Sequence, residues 1–89
     1  MRRGIIQEFV WLLVYKTEYD PRIKPTCVAY RTKYEAINQV QKIAQELKGK
    51  FPEQDWMEDI EDKRGKHRFK MKAKYSDNLY VGLSYIKLV

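Results

Sequence analysis

Seven consecutive apolar residues, from Phe9 to Tyr15, constrain the fold of this chain more than any other stretch. The run is too short for a typical globular helix, and it mixes aromatic with β-branched residues, which favour a pleated strand. A strand that is apolar on both sides is usually interior, with cover above and below it. Alternation would place Phe9, Trp11, Leu13 and Tyr15 on one face and Val10, Leu12 and Val14 on the other.

The composition indicates one folded domain that is stabilised by packing alone. The chain has 89 residues, of which 44% are hydrophobic and 34% charged, with a net charge of +6. A single cysteine and a single histidine can form neither an internal disulfide nor a metal site. No segment approaches the roughly 20 apolar residues of a membrane span. We therefore expect a soluble, cytoplasmic protein of residues 1–89 with no cofactor and no membrane association.

A loop, a second strand and a helix follow the first strand. Residues 16–25 are polar and contain two prolines, which predicts a loop, and residues 26–30 form a short β-type segment that would pair with the first strand at a sheet edge. Thr32 and Glu35 have the spacing of a capping box, so the helix should begin there. Gly49 is the residue that most readily takes a left-handed C-cap. The stripe predicted to face the core is Ala36, Ile37, Val40, Ile43, Ala44 and Leu47.

From residue 54 onwards the hydrophobic pattern has period two. A two-residue turn at Arg64 and Gly65 would oppose acidic and basic residues across a hairpin, pairing Glu61 with Arg68, Asp59 with Lys70 and Asp55 with Lys74. The other face would collect Trp56, Ile60, Phe69, Met71 and Ala73, with Glu58 as the exception. A second turn at residues 76–78 would place Phe69 opposite Tyr85 and Met71 opposite Leu83.

These elements predict an α+β fold. A single antiparallel sheet of four to five strands, in the order β-β-α-β-β-β, would carry one amphipathic helix on one face. One helix covers one side only, so Val10, Leu12 and Val14 need another cover. A second copy of the chain, a partner protein or the loop of residues 16–25 could supply it.

The sequence argues against an enzyme. Lysine and arginine flank His67 in sequence and would not activate it as a general base, so we expect a surface residue beside the turn. No base is evident for Cys27, which we expect to be a small buried filler.

Two binding functions remain open. Arg68, Lys70, Lys72 and Lys74 would project from one face of a strand with Tyr80 beside them, as in a groove that follows a nucleic-acid backbone. Acidic partners across the hairpin would weaken that attraction. A further set of cations could form a second basic patch: Arg2, Arg3, Arg22, Lys24, Arg31 and Lys33.

The surplus of apolar residues on the first strand and the seven tyrosines favour a protein-interaction function instead. Tyr19 is the best single candidate for a contact residue, because it lies in a loop where strand burial cannot explain it, and Arg22 lies beside it. The predicted partner-binding set is Tyr19, Arg22, Val10, Leu12 and Val14.

The chain resembles the small single-domain α+β proteins that phages and other mobile elements encode. The resemblance lies in the short length, the apolar strand that leads into Tyr19-Asp20-Pro21, and the helix start from Thr32 to Ala36. Some of these proteins inhibit host enzymes or defence complexes. Many inhibitors of defence nucleases are acidic, whereas this chain is basic, so the resemblance implies direct occlusion of a partner's surface. The expected function is a non-enzymatic interaction module of that inhibitor type, and the alternative is a small basic nucleic-acid-binding domain.

Overall fold

A computed structural model describes residues 8–88, which form five strands and one helix. In chain order the elements are β1 (Glu8–Thr17), β2 (Thr26–Tyr30), α1 (Lys33–Lys50), β3 (Trp56–Lys63), β4 (Lys66–Ala73) and β5 (Leu79–Leu88). Within this part of the chain, no helix combines the length and the apolar character that crossing a membrane requires.

The strands form one antiparallel sheet in the order β2-β1-β5-β4-β3. This confirms the predicted α+β fold, including the pairing of β2 with β1 at a sheet edge. β1 is an interior strand between β2 and β5, as its apolar run predicts. β3 forms the other edge.

The core lies between α1 and one face of the sheet. Leu47 of α1 and Leu13, Met71, Leu79 and Leu83 of the sheet are at most 1% exposed. The predicted helix stripe is confirmed: four of its members are buried and the two isoleucines pack against the same core, namely Ala36, Val40, Ala44 and Leu47 with Ile37 and Ile43. Burial of these side chains is the main favourable contribution to folding in a domain without disulfides.

The helix begins as predicted but ends later. Thr32 is the N-cap: its Oγ1 accepts a hydrogen bond from the Glu35 backbone N–H at 3.3 Å and donates one to Glu35 Oε1 at 2.8 Å. The prediction of a left-handed cap at Gly49 is wrong, because α1 continues through that residue to Lys50 and Phe51 is the C-cap. Phe51 is only 8% exposed, and burying its ring extends the helix past the glycine.

The β3–β4 hairpin has the predicted register. Lys63 faces Lys66 across a two-residue turn in which Arg64 has φ 55° and Gly65 has φ 76°. Positive φ at both central positions is the signature of a type I′ turn, whose twist matches that of the flanking strands. Asp59 is the Cα partner of Lys70, as expected.

The predicted register between β4 and β5 is wrong by two residues. Phe69 faces Leu83 rather than Tyr85, and Met71 faces Val81 rather than Leu83. The connection occupies residues 74–78, with a turn in which the Ser76 N–H bonds the Ala73 carbonyl at 3.4 Å. A two-residue shift keeps every side chain on its predicted face, so the hydrophobic pattern cannot distinguish the two registers.

Edge strand β3 differs from the predicted apolar face at Ile60. Ile60 lies on the helix side of the sheet but is 61% exposed, because α1 packs over β1, β5, β2 and β4. Glu58, the apparent exception in the pattern, forms an ion pair with Lys48 of α1 at 3.0 Å. Lys33, at the start of the helix, makes an ion pair with Asp62 at 3.2 Å. Two ion pairs therefore connect the helix to this edge, beside the packing of Trp56 against the core.

β1 is longer than its apolar run. Lys16, which we expected in a loop, lies in the strand and is only 5% exposed. Its Nζ donates hydrogen bonds to the backbone carbonyls of Glu18 at 2.6 Å and Asp20 at 2.7 Å. A buried ammonium group is tolerated here because backbone oxygens replace its water.

Candidate interaction site on the open face of the sheet

No helix or strand among residues 8–88 covers the side of the sheet opposite α1, which we call the open face. Strand alternation places two kinds of side chain on it. The apolar half, on β1, β2 and the end of β5, comprises Val10, Leu12, Val14, Cys27, Ala29 and Ile86. The charged half, on β3 and β4, comprises Met57, Asp59, Glu61, Arg68, Lys70 and Lys72.

A groove of about 520 Å³ runs between the two halves along β5. Gly82 lies between Val14 of β1 and Lys70 of β4, and with Ser84 it forms a floor of small residues. Tyr80, which pairs with Lys16 and Lys72, is half-buried beside this floor. The groove exists because two adjacent open-face positions on an interior strand carry small side chains.

The three predicted apolar contact residues differ in accessibility. Leu12 and Val14 are partly exposed, and Val14 lines the groove. Val10 is 8% exposed and lies outside the main core cluster, so little of its side chain is accessible. Ile86, its Cα partner on β5, is 37% exposed and gives this end of the apolar half an accessible side chain.

The cations of the charged half are neutralised unequally. Arg68 lies 3.9 Å from Glu61 across the hairpin, and Lys72 lies 2.8 Å from Asp77 in the loop before β5. Within residues 8–88, no carboxylate lies within 4.0 Å of Lys70, although Asp59 is its Cα partner. The predicted pairing of acidic with basic residues across the hairpin is therefore correct in register. Within the groove, this pairing forms one ion pair, Arg68 with Glu61, which is weak and exposed.

The pKa of Asp77 is held below its ordinary value chiefly by the hydrogen bond from Lys72, with a smaller contribution from the charge of that ammonium. Lys74, the last cation of the predicted row, lies past the end of β4. It is 4.0 Å from Asp55, and its Nζ lies 5.4 Å from the centroid of the Tyr75 ring. Of the predicted nucleic-acid contacts, Lys74 alone does not line the groove; Arg68, Lys70, Lys72 and Tyr80 do.

Tyr19 and Arg22 lie away from the groove. The Tyr19 ring packs edge-on against Phe51 with centroids 4.9 Å apart, and its hydroxyl accepts a hydrogen bond from Gln54 Nε2 at 2.6 Å. Tyr19 thus packs at the C-terminal end of α1, on the helix side of the sheet, and remains 44% exposed. Arg22 makes a bidentate ion pair with Asp20, which lowers the pKa of that carboxyl. The structure does not unite this loop with the apolar half in one surface.

The second set of cations is divided among several partners. Arg2 and Arg3 lie outside the described residues. Arg22 binds Asp20, and Lys33 binds Asp62, whose pKa is lowered first by that hydrogen bond and less by His67. Arg22 and Lys33 are thus each neutralised by a separate carboxylate.

Cys27 and His67 are both placed differently from the sequence prediction. Cys27 is exposed, because it points to the open face from an edge strand. His67 is 15% exposed on the helix side, with Nδ1 3.5 Å from Asp62 Oδ2. Since the two residues lie on opposite faces of the sheet, they cannot act together as nucleophile and base. No group of three or more metal-ligating side chains occurs among residues 8–88.

Sequence reasoning missed two residues that shape this site. Asp77 neutralises Lys72 from a loop, and the only available signal was a carboxylate just beyond the strand. Lys16 follows Val10, Leu12 and Val14 at period two, and that spacing would have placed it on the same strand face.

Comparisons with family models, with curated proteins and with solved structures find no match for this chain. The function is therefore argued from the geometry.

Proposed function

We propose that this chain is a non-enzymatic protein-interaction module that binds another protein through the open face. One observation carries the proposal: the uncovered groove along β5, with Val14 of the apolar half on one side and the charged side chains of β3 and β4 on the other. An apolar region beside polar groups that fix orientation is the usual anatomy of a protein-binding surface. Beside the groove, Leu12 is partly exposed and Ile86 is 37% exposed, and both extend the accessible apolar surface around Val14.

The mode of action that we propose is occlusion. In the described part of the chain, no hydroxyl that lines the groove is hydrogen-bonded to a basic or acidic side chain, and the floor is glycine and serine on an interior strand. Such a surface can cover part of a partner without changing it chemically. An inhibitor of a host or defence protein is the function that agrees with the resemblance to small proteins of mobile elements.

Capture with matched variants tests this proposal. Tagged wild-type chain, Ile86→Glu and Ser84→Arg would be used to recover proteins from a lysate of the source cells, after thermal melting shows that each variant is folded. Ile60→Glu is the control, because Ile60 is exposed on the opposite side of the sheet. We expect one partner to bind wild type and the control, and to be lost from both open-face variants. Equal recovery by all four proteins would contradict the proposal.

A basic nucleic-acid-binding domain is the second candidate. Lys70, which has no carboxylate within 4.0 Å among residues 8–88, favours it, as does the adjacent half-buried Tyr80. Contacts from three cations to a single strand would weaken binding by about 20-fold between 50 and 200 mM salt. Apolar protein contact would change little.

Fluorescence anisotropy with labelled single-stranded DNA and RNA separates the two candidates. If nucleic acid is the ligand, Lys70→Glu should abolish binding, and Lys42→Glu should not, because Lys42 is an exposed cation on α1. Absence of binding by wild type at low salt would remove this candidate.

A further inference from the structure

The outer edge of β2 is an unprotected pairing edge. Its five residues pair with β1 in unbroken register, and among residues 8–88 no strand lies on its other side. Thr26, Cys27 and Ala29 are exposed. Proteins normally protect such edges with charged side chains, proline, a bulge or a covering loop, because free backbone N–H and C=O groups bind other strands. β2 contains no charge, no proline and no bulge.

The opposite edge of the sheet is protected by its charges. β3 carries four carboxylates and a lysine in eight residues. Antiparallel pairing of β3 with itself about Ile60 would place Glu58 opposite Asp62 and Asp59 opposite Glu61, and both pairs repel. The contrast between the two edges indicates that pairing is opposed at β3 and permitted at β2.

We propose that β2 pairs antiparallel with β2 of a second copy of this chain, about a two-fold axis at Val28. This is the one register that pairs all five residues: Thr26 would face Tyr30 of the second copy, and Cys27 would face Ala29. The two sheets then become one sheet of ten strands, with the two open faces side by side. The edge is separate from the groove, so this inference does not depend on the proposed function.

A second copy fits this edge because the paired residues carry no charge. No like charges meet within the pair, and the small exposed residues Cys27 and Ala29 meet each other on the open face. The nearest cations, Lys24 and Arg31, lie just outside the paired residues. Added salt should therefore strengthen the dimer slightly, whereas it would weaken the binding of an acidic foreign strand.

The dimer should depend on concentration. Pairing of two five-residue edges buries a small area, at the low end for specific interfaces, so association should be weak and reversible. Sedimentation velocity over a concentration series should show a monomer that converts to a dimer. The double variant Cys27→Lys and Ala29→Lys places like charges opposite one another in the pair and should stay monomeric. Ile60→Lys, on the β3 edge, should dimerise as wild type does.

Disulfide cross-linking tests the register. In wild type, Cys27 of one copy faces Ala29 of the other, so the two Cys27 residues lie two positions apart along the paired strands. Their Cα atoms are then roughly 8 Å apart, which is too far for a disulfide. Ala29→Cys places its new thiol opposite Cys27 of the other copy. Mild oxidation should therefore give a covalent dimer for this variant and little for wild type on a non-reducing gel.

Three results would overturn the inference. These are a monomer at every concentration, dimers that survive the double lysine variant, and cross-linking that is absent or equal in wild type and Ala29→Cys. Circular dichroism of each variant shows whether loss of the dimer reflects loss of the fold, and only folded variants are scored.

Discussion

Lys72 of β4 makes its ion pair with Asp77, 2.8 Å away in the loop that leads to β5, and not with an acidic residue of β3. The row of cations on β4 is thus neutralised from two sides, by Glu61 of the hairpin and by this loop. Lys70, between them, keeps its charge available to a ligand in the groove. The charged half of the open face is consequently mixed in sign, which suits a protein partner better than a phosphate backbone.

The Lys72–Asp77 pair predicts a specific pH dependence. The folded-state pKa of Asp77 lies below the ordinary value of 3.8, so this carboxylate stabilises the fold above that pH. The contribution is lost as the pH falls from 3.8 through the lowered folded value. Lys72→Met should raise the pKa of Asp77 towards 3.8, measured by NMR titration of the carboxyl carbon. Lys74→Met is the control and should leave it unchanged; an identical titration of Asp77 in wild type and Lys72→Met would contradict the prediction.

The N-cap of α1 should contribute measurably to stability. Thr32→Ala removes the oxygen that accepts the Glu35 N–H and should lower the free energy of unfolding by about 1 kcal/mol. Thr32→Ser retains the hydroxyl and should cost much less. Urea unfolding followed by circular dichroism measures both variants. If serine and alanine have the same effect, the methyl group rather than the cap accounts for the loss.

The hairpin turn predicts opposite effects at neighbouring positions. Gly65→Ala forces a side chain into positive φ and should destabilise the protein by about 1 kcal/mol. Arg64→Asn substitutes a residue that tolerates positive φ, and should stabilise it by about 0.5 kcal/mol. Gly49→Ala is the control, because its site is helical and open, and should be neutral or stabilising. Thermal melting that shows equal losses for Gly65→Ala and Gly49→Ala would exclude this explanation.

Lys16 should stabilise the conformation of the first residues of the loop that follows β1. Lys16→Met removes both hydrogen bonds to the carbonyls of Glu18 and Asp20 and should destabilise the protein by roughly 1–3 kcal/mol. Hydrogen exchange of residues 18–20 should accelerate more than that of α1. Lys24→Met removes an exposed lysine from the same loop and should change neither quantity. Uniform acceleration across the protein would show that the loss is global rather than local.

The secondary structure, and the sheet face on which each strand side chain lies, were predictable because both depend on local patterns. The apolar run of β1, the capping box at Thr32 and the turn at Arg64 and Gly65 each have a sequence signature that neighbouring residues do not obscure. The register of β4 with β5 was not predictable, since a shift of two residues leaves every face unchanged and the loop sequence does not fix its own length. The end of α1 depended on burial of Phe51, a tertiary contact that outweighs the local preference of Gly49.

The site was less predictable than the fold. Sequence pattern put Leu12 and Val14 on one face of the first strand and the cations on one face of β4, but it did not bring the two sets together. The groove requires the order of strands in space, which places Gly82 between Val14 and Lys70. Tyr19 has tertiary contacts that its sequence position did not reveal. Its loop position suggested a free contact residue, whereas a packed ring and two hydrogen-bonded neighbours, Gln54 and Glu53, attach it to the end of α1.

The position of β5 in the middle of the sheet has a consequence for synthesis. This strand, formed by residues 79–88, joins β1 on one side and β4 on the other. Until it leaves the ribosome, the nascent chain holds two hairpins whose inner edges have no partner and lie far apart in sequence. The last-made strand of the sheet is therefore the one that joins the two hairpins into it.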